Sequence, residues 1–237
     1  MRFSVRLAMI AGIVAACVLS VHAADHPSTQ AQNVLWDKRV AQYTLLYHQG
    51  QYAKAAEIAQ QALRTAEQAF GANDPRVAQT LNDLGCLYQR QGDLARAEPL
   101  HRRALTIREH LVKPDDATVV QSAINLARVY QAQGHDTSAE PLFKRALAIV
   151  EQRVGPESIP VANVLRDLAQ GYGVQGNLTD AEPLFKRALA IQEKVLGSTH
   201  PEVATTLESY ATSLRKAGKG SEADALEARG KAIRAGQ

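Results

Sequence analysis

Past residue 30, apolar and small residues recur at spacings of three and four along most of the chain. Leu81, Leu84, Gly85 and Tyr88 form one such set, and Ala123, Leu126, Ala127 and Tyr130 another. Between them run Leu94, Ala97, Leu100, Ala104, Leu105 and Ile107. This spacing puts the apolar positions on one face of an α-helix and the polar ones on the other. The pattern therefore predicts a succession of amphipathic helices, each with one face to bury.

The same pattern returns at a fixed interval. Glycines stand at Gly50, Gly92, Gly134, Gly176 and Gly218, each 42 residues after the last. Five residues past each comes an alanine: Ala55, Ala97, Ala139, Ala181 and Ala223. Four before each comes Leu46, Tyr88, Tyr130, Tyr172 or Leu214. The stretch AEPLFKRALAI occupies both 139–149 and 181–191, and AEPLHRRALTI at 97–107 matches eight of its eleven residues. A period of this length marks a stacked array, because one hairpin cannot bury its apolar stripe alone. Each glycine permits a tight turn between two helices. Asp93 and Asn177 are placed to cap the helix that follows. Pro75 and Pro201 fit the first turn of other helices, where no hydrogen bond is lost. Pro99, Pro141 and Pro183 fall deeper, and a kink or opened first turn is expected there.

The spacing divides residues 31–237 into five helical hairpins at about 31–70, 75–112, 116–153, 158–196 and 201–235. The ends differ from the middle, as the ends of an array should. Tyr43 stands where later copies have Gly85, Ala127, Ala169 and Ala211, and Gly230 and Lys231 replace an alanine and a leucine.

Leu84-Gly85-x-x-Tyr88-x-x-x-Gly92, its counterparts from Leu126 and Leu168, the AEPLxKRAL helix and the linker Leu196-Gly197-Ser198-Thr199-His200-Pro201 together resemble the tetratricopeptide repeat. The closest pattern is the 42-residue variant of kinesin light chains. The resemblance spans about residues 31–235. It implies an all-α, right-handed superhelical solenoid of five stacked antiparallel hairpins whose first helices line a concave groove. It also implies a partner-binding position just before each Leu-Ala or Leu-Gly pair, where the family carries an asparagine that bonds a peptide backbone. Those positions are Asp83, Asn125, Asp167 and Ser209, of which only Asn125 keeps the amide. The neighbouring groove candidates are Gln79, Asn82, Arg90, Gln121, Arg128, Asn163, Arg166, Gln170, Arg215 and Lys216. Arg90, Arg128, Arg166 and Arg215 are expected along one strip, where a planar guanidinium suits an acidic segment or a free C-terminus.

The first residues have a different character. MRFSVR is basic, Leu7–Val21 is an apolar run shorter than a membrane span, and Val21-His22-Ala23 leads into polar sequence. This reads as a signal peptide over 1–23 cleaved after Ala23, followed by a flexible segment at 24–30. A second reading is a lipoprotein box, Val14-Ala15-Ala16-Cys17, with lipidation at Cys17. The expected location is the bacterial periplasm or the exterior, or a membrane face if Cys17 is lipidated.

Composition narrows the chemistry. Aromatics are 5 % of the chain, and the formal charge is +3. It falls to +1 without Arg2 and Arg6, a balance that argues against nucleic acid as a partner. Cys86 is the one cysteine outside the leader, so no internal disulfide is expected, and it reads as a packed small residue rather than a nucleophile. The seven histidines form no metal-binding spacing, and no nucleophile elbow or phosphate loop occurs. Asp115-Asp116 reads as a linker and helix cap, and Asn177-Leu178-Thr179 as a chance sequon in a turn. The basic pairs Arg102-Arg103, Lys144-Arg145 and Lys186-Arg187 read as the solvated side of the second helices, beside Glu98, Glu140 and Glu182. The sequence thus predicts an exported, non-enzymatic scaffold with no cofactor and a protein or peptide partner, for which an acidic segment is one candidate. The alternatives are a lipid-anchored assembly lipoprotein and an enzyme with an unrecognised site.

Overall fold

The computed structural model describes residues 27–236. The proposed leader, Cys17 and the cleavage position at Ala23 lie outside the described residues. Ten helices follow, and no strand occurs among the described residues. They are α1 (Pro27–His48), α2 (Tyr52–Phe70), α3 (Pro75–Arg90), α4 (Leu94–Leu111) and α5 (Ala117–Ala132), then α6 (Asp136–Val154), α7 (Ile159–Val174), α8 (Leu178–Leu196), α9 (Pro201–Lys216) and α10 (Gly220–Ala235). Consecutive helices pair as hairpins, α1 with α2 through α9 with α10, and each hairpin packs on the next. Residues 27–30, the end of the segment read as 24–30, lie within α1. Nothing between Gln30 and Trp36 breaks a helix, so the helical pattern runs back past the expected boundary.

The turn glycines do what their period predicts. Gly50, Gly92, Gly134, Gly176 and Gly218 all hold φ between 73° and 79°. That left-handed conformation lets the next residue's N–H reach back to the carbonyl five residues earlier. Thus Asp93 N donates to Tyr88 O at 2.9 Å, His135 N to Tyr130 O at 2.8 Å, and Asn177 N to Tyr172 O at 2.9 Å. Asp93 and Asn177 then cap α4 and α8 through their side chains, and Asp116 caps α5. Pro99, Pro141 and Pro183 lie within α4, α6 and α8 without interrupting them.

Alanine sets the helix spacing. Ala55, Ala97, Ala139, Ala181 and Ala223 are all buried, as are Ala62, Ala104, Ala146 and Ala188. A side chain of one methyl lets neighbouring backbones approach, while Leu81, Leu165, Leu207, Phe143 and Phe185 fill the space between. On the outer side the even-numbered helices are tied by a repeated ion pair. Arg103, Arg145, Arg187 and Arg229 each reach a glutamate of the preceding even helix: Glu67, Glu109, Glu151 and Glu193.

One junction departs from the rest. After α2, α6 and α8 a glycine with φ near 90° ends the helix: Gly71, Gly155 and Gly197. The same repeat position after α4 is Lys113, which disfavours that conformation. Here α4 stops at Leu111, Val112 is extended, and both side chains are exposed.

Candidate partner-binding groove

The odd-numbered helices present polar side chains to one face, and most of these are already engaged. Arg128 of α5 donates from Nε to Asp167 Oδ2 of α7 at 2.7 Å. Arg166 donates to the other oxygen of Asp167 at 3.1 Å and to Asn163 Oδ1 at 3.2 Å. Gln131 of α5 donates to the Asp167 backbone carbonyl at 2.8 Å. Asp167 is buried, so these bonds satisfy a charge removed from water. Together they tie the C-terminal half of α5 to the middle of α7.

The N-terminal halves of the same helices stand apart. Between them lies a cleft of about 400 Å³. Val120 and Ile124 of α5 form one wall, Pro160 and Val164 of α7 the other, with Val150 and Val154 of α6 beneath. Gln121, Arg128, Arg153 and Asn163 bring polar groups to its edge.

Repeat alignment explains why the cleft is apolar here and not at the junctions one repeat earlier and one later. The position of Val150 is Ala66, Arg108 and Gln192 in the other repeats that precede a further hairpin, and that of Val164 is Thr80, Ser122 and Thr206. Arg108 donates to Ser122 Oγ at 2.7 Å, and Thr206 Oγ1 donates to Gln192 Oε1 at 2.8 Å. In those repeats a polar side chain bridges the even helix to the next odd one. Two valines cannot form that bridge, and they leave an apolar floor between the polar pairs. Sequence reasoning missed these valines because it sought polar groove positions. The signal was present in the 42-residue alignment, as Arg/Val/Gln and Ser/Val/Thr columns.

The other predicted positions are distributed as follows. Asn125, the one family-type amide, is buried: it donates to Asn82 Oδ1 at 2.9 Å and accepts from Gln121 at 3.0 Å. Its amide therefore joins α5 to α3. Asp83 accepts from Tyr43 Oη at 2.6 Å, and burial pushes its carboxyl above the ordinary range. Arg90 donates to Tyr47 Oη at 3.1 Å. Gln170, Ser209 and Lys216 line a smaller cleft between α7 and α9, and Gln79 is exposed on α3.

The four arginines do not share one set of partners: Arg128 and Arg166 meet on Asp167, Arg90 bonds Tyr47, and Arg215 pairs with Asp224 and Glu227 of α10. The reason is register. Arg90, Arg128 and Arg166 precede their turn glycines by two, six and ten residues, so each steps back about one helical turn from the last. Arg215 precedes Gly218 by three and faces its hairpin partner. Cys86 lines a third cleft, with Tyr43, Tyr47 and Asp83. Burial, then the charge of Asp83, pushes its thiol up to about 11, so it stays protonated at neutral pH. No helix among the described residues is long and apolar enough to cross a membrane.

The tetratricopeptide-repeat model matches residues 44–110, 87–152, 116–173 and 160–235. The chain belongs to the tetratricopeptide-repeat family. Its fold is that of a protein-interaction scaffold. No curated protein matches the sequence significantly. Among solved structures it is similar to BtubC (BKLC) from P. vanneervenii, at 26 % identity over 84 % of this chain and 80 % of that one, with a TM-score of 0.70. It is also similar to a putative kinesin light chain of P. anserina with nearly identical repeats. There the identity is 25 % over 90 % and 98 % of the two chains, and the TM-score is 0.67. A Rap protein complexed with competence and sporulation factor shares the fold, at 19 % identity over 85 % of this chain and 54 % of that one, with a TM-score of 0.70.

Proposed function

We propose that this chain is an exported, non-enzymatic scaffold that holds an extended segment of a partner protein along its odd-numbered helices. The α5–α7 cleft is the observation that carries this reading. It has room for apolar side chains of a bound segment, and the exposed Arg153 at its edge can meet an acidic residue or a C-terminal carboxylate. A Rap protein of similar fold is known in complex with a peptide, Phr*. Seating one aliphatic or aromatic side chain in such a cleft contributes about 1.5–3 kcal/mol. A charge-assisted hydrogen bond at the rim adds about 1.5–3 kcal/mol. Export is supported by the basic, then apolar, then polar order of residues 1–27.

The test begins with capture from an envelope extract and identification of the bound protein. A synthetic peptide of its bound segment is then titrated against three proteins: wild type, Val154→Asp, and the double variant Lys144→Ala with Lys186→Ala. Val154 is largely exposed, so an aspartate there leaves the fold intact while charging the cleft. Val154→Asp should weaken binding at least tenfold and the lysine double variant should not. The opposite pattern would move the partner to the even-numbered helices and end this reading. Mass spectrometry of the mature protein should find Ala24 first. A lipidated Cys17 at the N-terminus would instead support the membrane-anchored alternative.

A further inference from the structure

The second hairpin encloses a histidine that the groove does not use. His101 of α4 is 0 % exposed. Its repeat counterparts are Phe143 and Phe185, both buried. Opposite it on α3 stands Gly85, where other repeats have Ala127, Ala169 and Ala211. A Cβ at Gly85 would lie 2.6 Å from His101 Nε2, so glycine is what admits the ring. Nε2 lies 3.0 Å from Gln89 Oε1. That acceptor selects the neutral tautomer with its proton on Nε2. Nδ1 is buried and has no hydrogen-bond partner.

A second proton would therefore sit on Nδ1 with no acceptor, in a site closed to water. The surrounding groups offer no compensation. α3 presents the neutral Gly85 and Gln89. Glu98, one turn back on α4, is held by Arg102 and by Gln133, which caps the end of α5. Arg108, on the same helix, is a like charge. Burial first, and Arg108 second, bring the imidazole down from its ordinary 6.5 to about 4.

We propose that His101 makes the second hairpin an acid-sensitive latch. The neutral ring holds α3 against α4, and its protonation opens this hairpin before the rest of the array. The direction follows from proton linkage. With the closed-state value depressed, the open state binds the extra proton between about pH 6.5 and 4. Stability of the closed hairpin is thus full above about 6.5, falls as pH drops, and levels off below about 4. One proton taken up on opening gives about a tenfold rise in the opening constant per pH unit within that window.

Hydrogen exchange on the full chain, corrected for intrinsic rates, reads this directly. Amides of 81–90 and 97–107 should gain opening by about tenfold between pH 6 and pH 5, while those of 181–191 should not. In His101→Phe, which copies the third and fourth repeats, the rise in 81–107 should vanish. An unchanged pH profile in His101→Phe overturns the proposal. If that variant does not fold, the wild-type map still decides: a rise spread evenly over all hairpins, or an imidazole that titrates near 6.5 in the folded protein by NMR, overturns it as well.

Discussion

Gly173 and Ser213 face each other where α7 meets α9, and the contact leaves no room for a side chain on the glycine. A Cβ at Gly173 would fall well inside van der Waals distance of the Ser213 hydroxyl and Cβ. Other repeats carry Gln89, Gln131 and Arg215 at the same position, so the close approach belongs to this pair of helices alone. Gly173→Ala should therefore destabilise the protein by about 1–3 kcal/mol, the usual cost of overpacking. Ser213→Gly in the same chain should recover most of it. Urea denaturation of the two variants measures both effects, and a neutral Gly173→Ala would mean that α7 and α9 can slide apart at little cost. Nothing in the local sequence says which side chain would meet Gly173. Tyr43 is similar. Its place in the first repeat was readable, while its hydroxyl bond to Asp83, 40 residues on, depends on how two helices lie together.

At the scale of the helix, the repeated ion pairs on the even helices are regular yet contribute little. Each joins groups that are roughly one-third exposed or more. Pairs of this kind contribute about 0.2–1 kcal/mol, and salt weakens them. Arg145→Ala combined with Arg187→Ala should cost less than about 2 kcal/mol at low ionic strength. Most of that loss should vanish at high salt, which urea melts at two salt concentrations would show. A loss that survives high salt would mean that the arginine stems contribute by packing instead of charge. The basic pairs were legible in the sequence as a solvated face. Their partners were only half legible. Glu140 beside Lys144 follows from helical spacing, but Glu109 beside Arg145 requires knowing how α4 and α6 lie side by side.

For the molecule as a whole, each hairpin meets only its neighbours, so stability is close to a sum of units and interfaces. Removing residues 134–175 takes out one period and rejoins Gln133 to Gly176, which preserves the turn and the register. The product should remain helical by circular dichroism, be less stable than wild type, and no longer contain the α5–α7 cleft. Complete unfolding would show that the array folds as one indivisible core. The same variant separates fold from function, since partner binding should be lost while the helices persist.

The sequence alone determined the helices, their pairing and the number of hairpins in the array. Those properties follow from local spacing: apolar residues at three and four, and a glycine every 42 residues to turn the chain. Only the tertiary structure decided which groove residues face outward and which face each other. Asn125 and Asp167 stand at the family's partner-binding positions, and burial obliges their polar atoms to find partners, which are Asn82, Arg128 and Arg166. The cleft between α5 and α7 likewise belongs to no local segment. It exists because two valines, 14 residues apart, fail to bridge helices that polar pairs join in the neighbouring repeats. An absent contact leaves no periodic mark of its own, so its consequence appears only once the helices are packed.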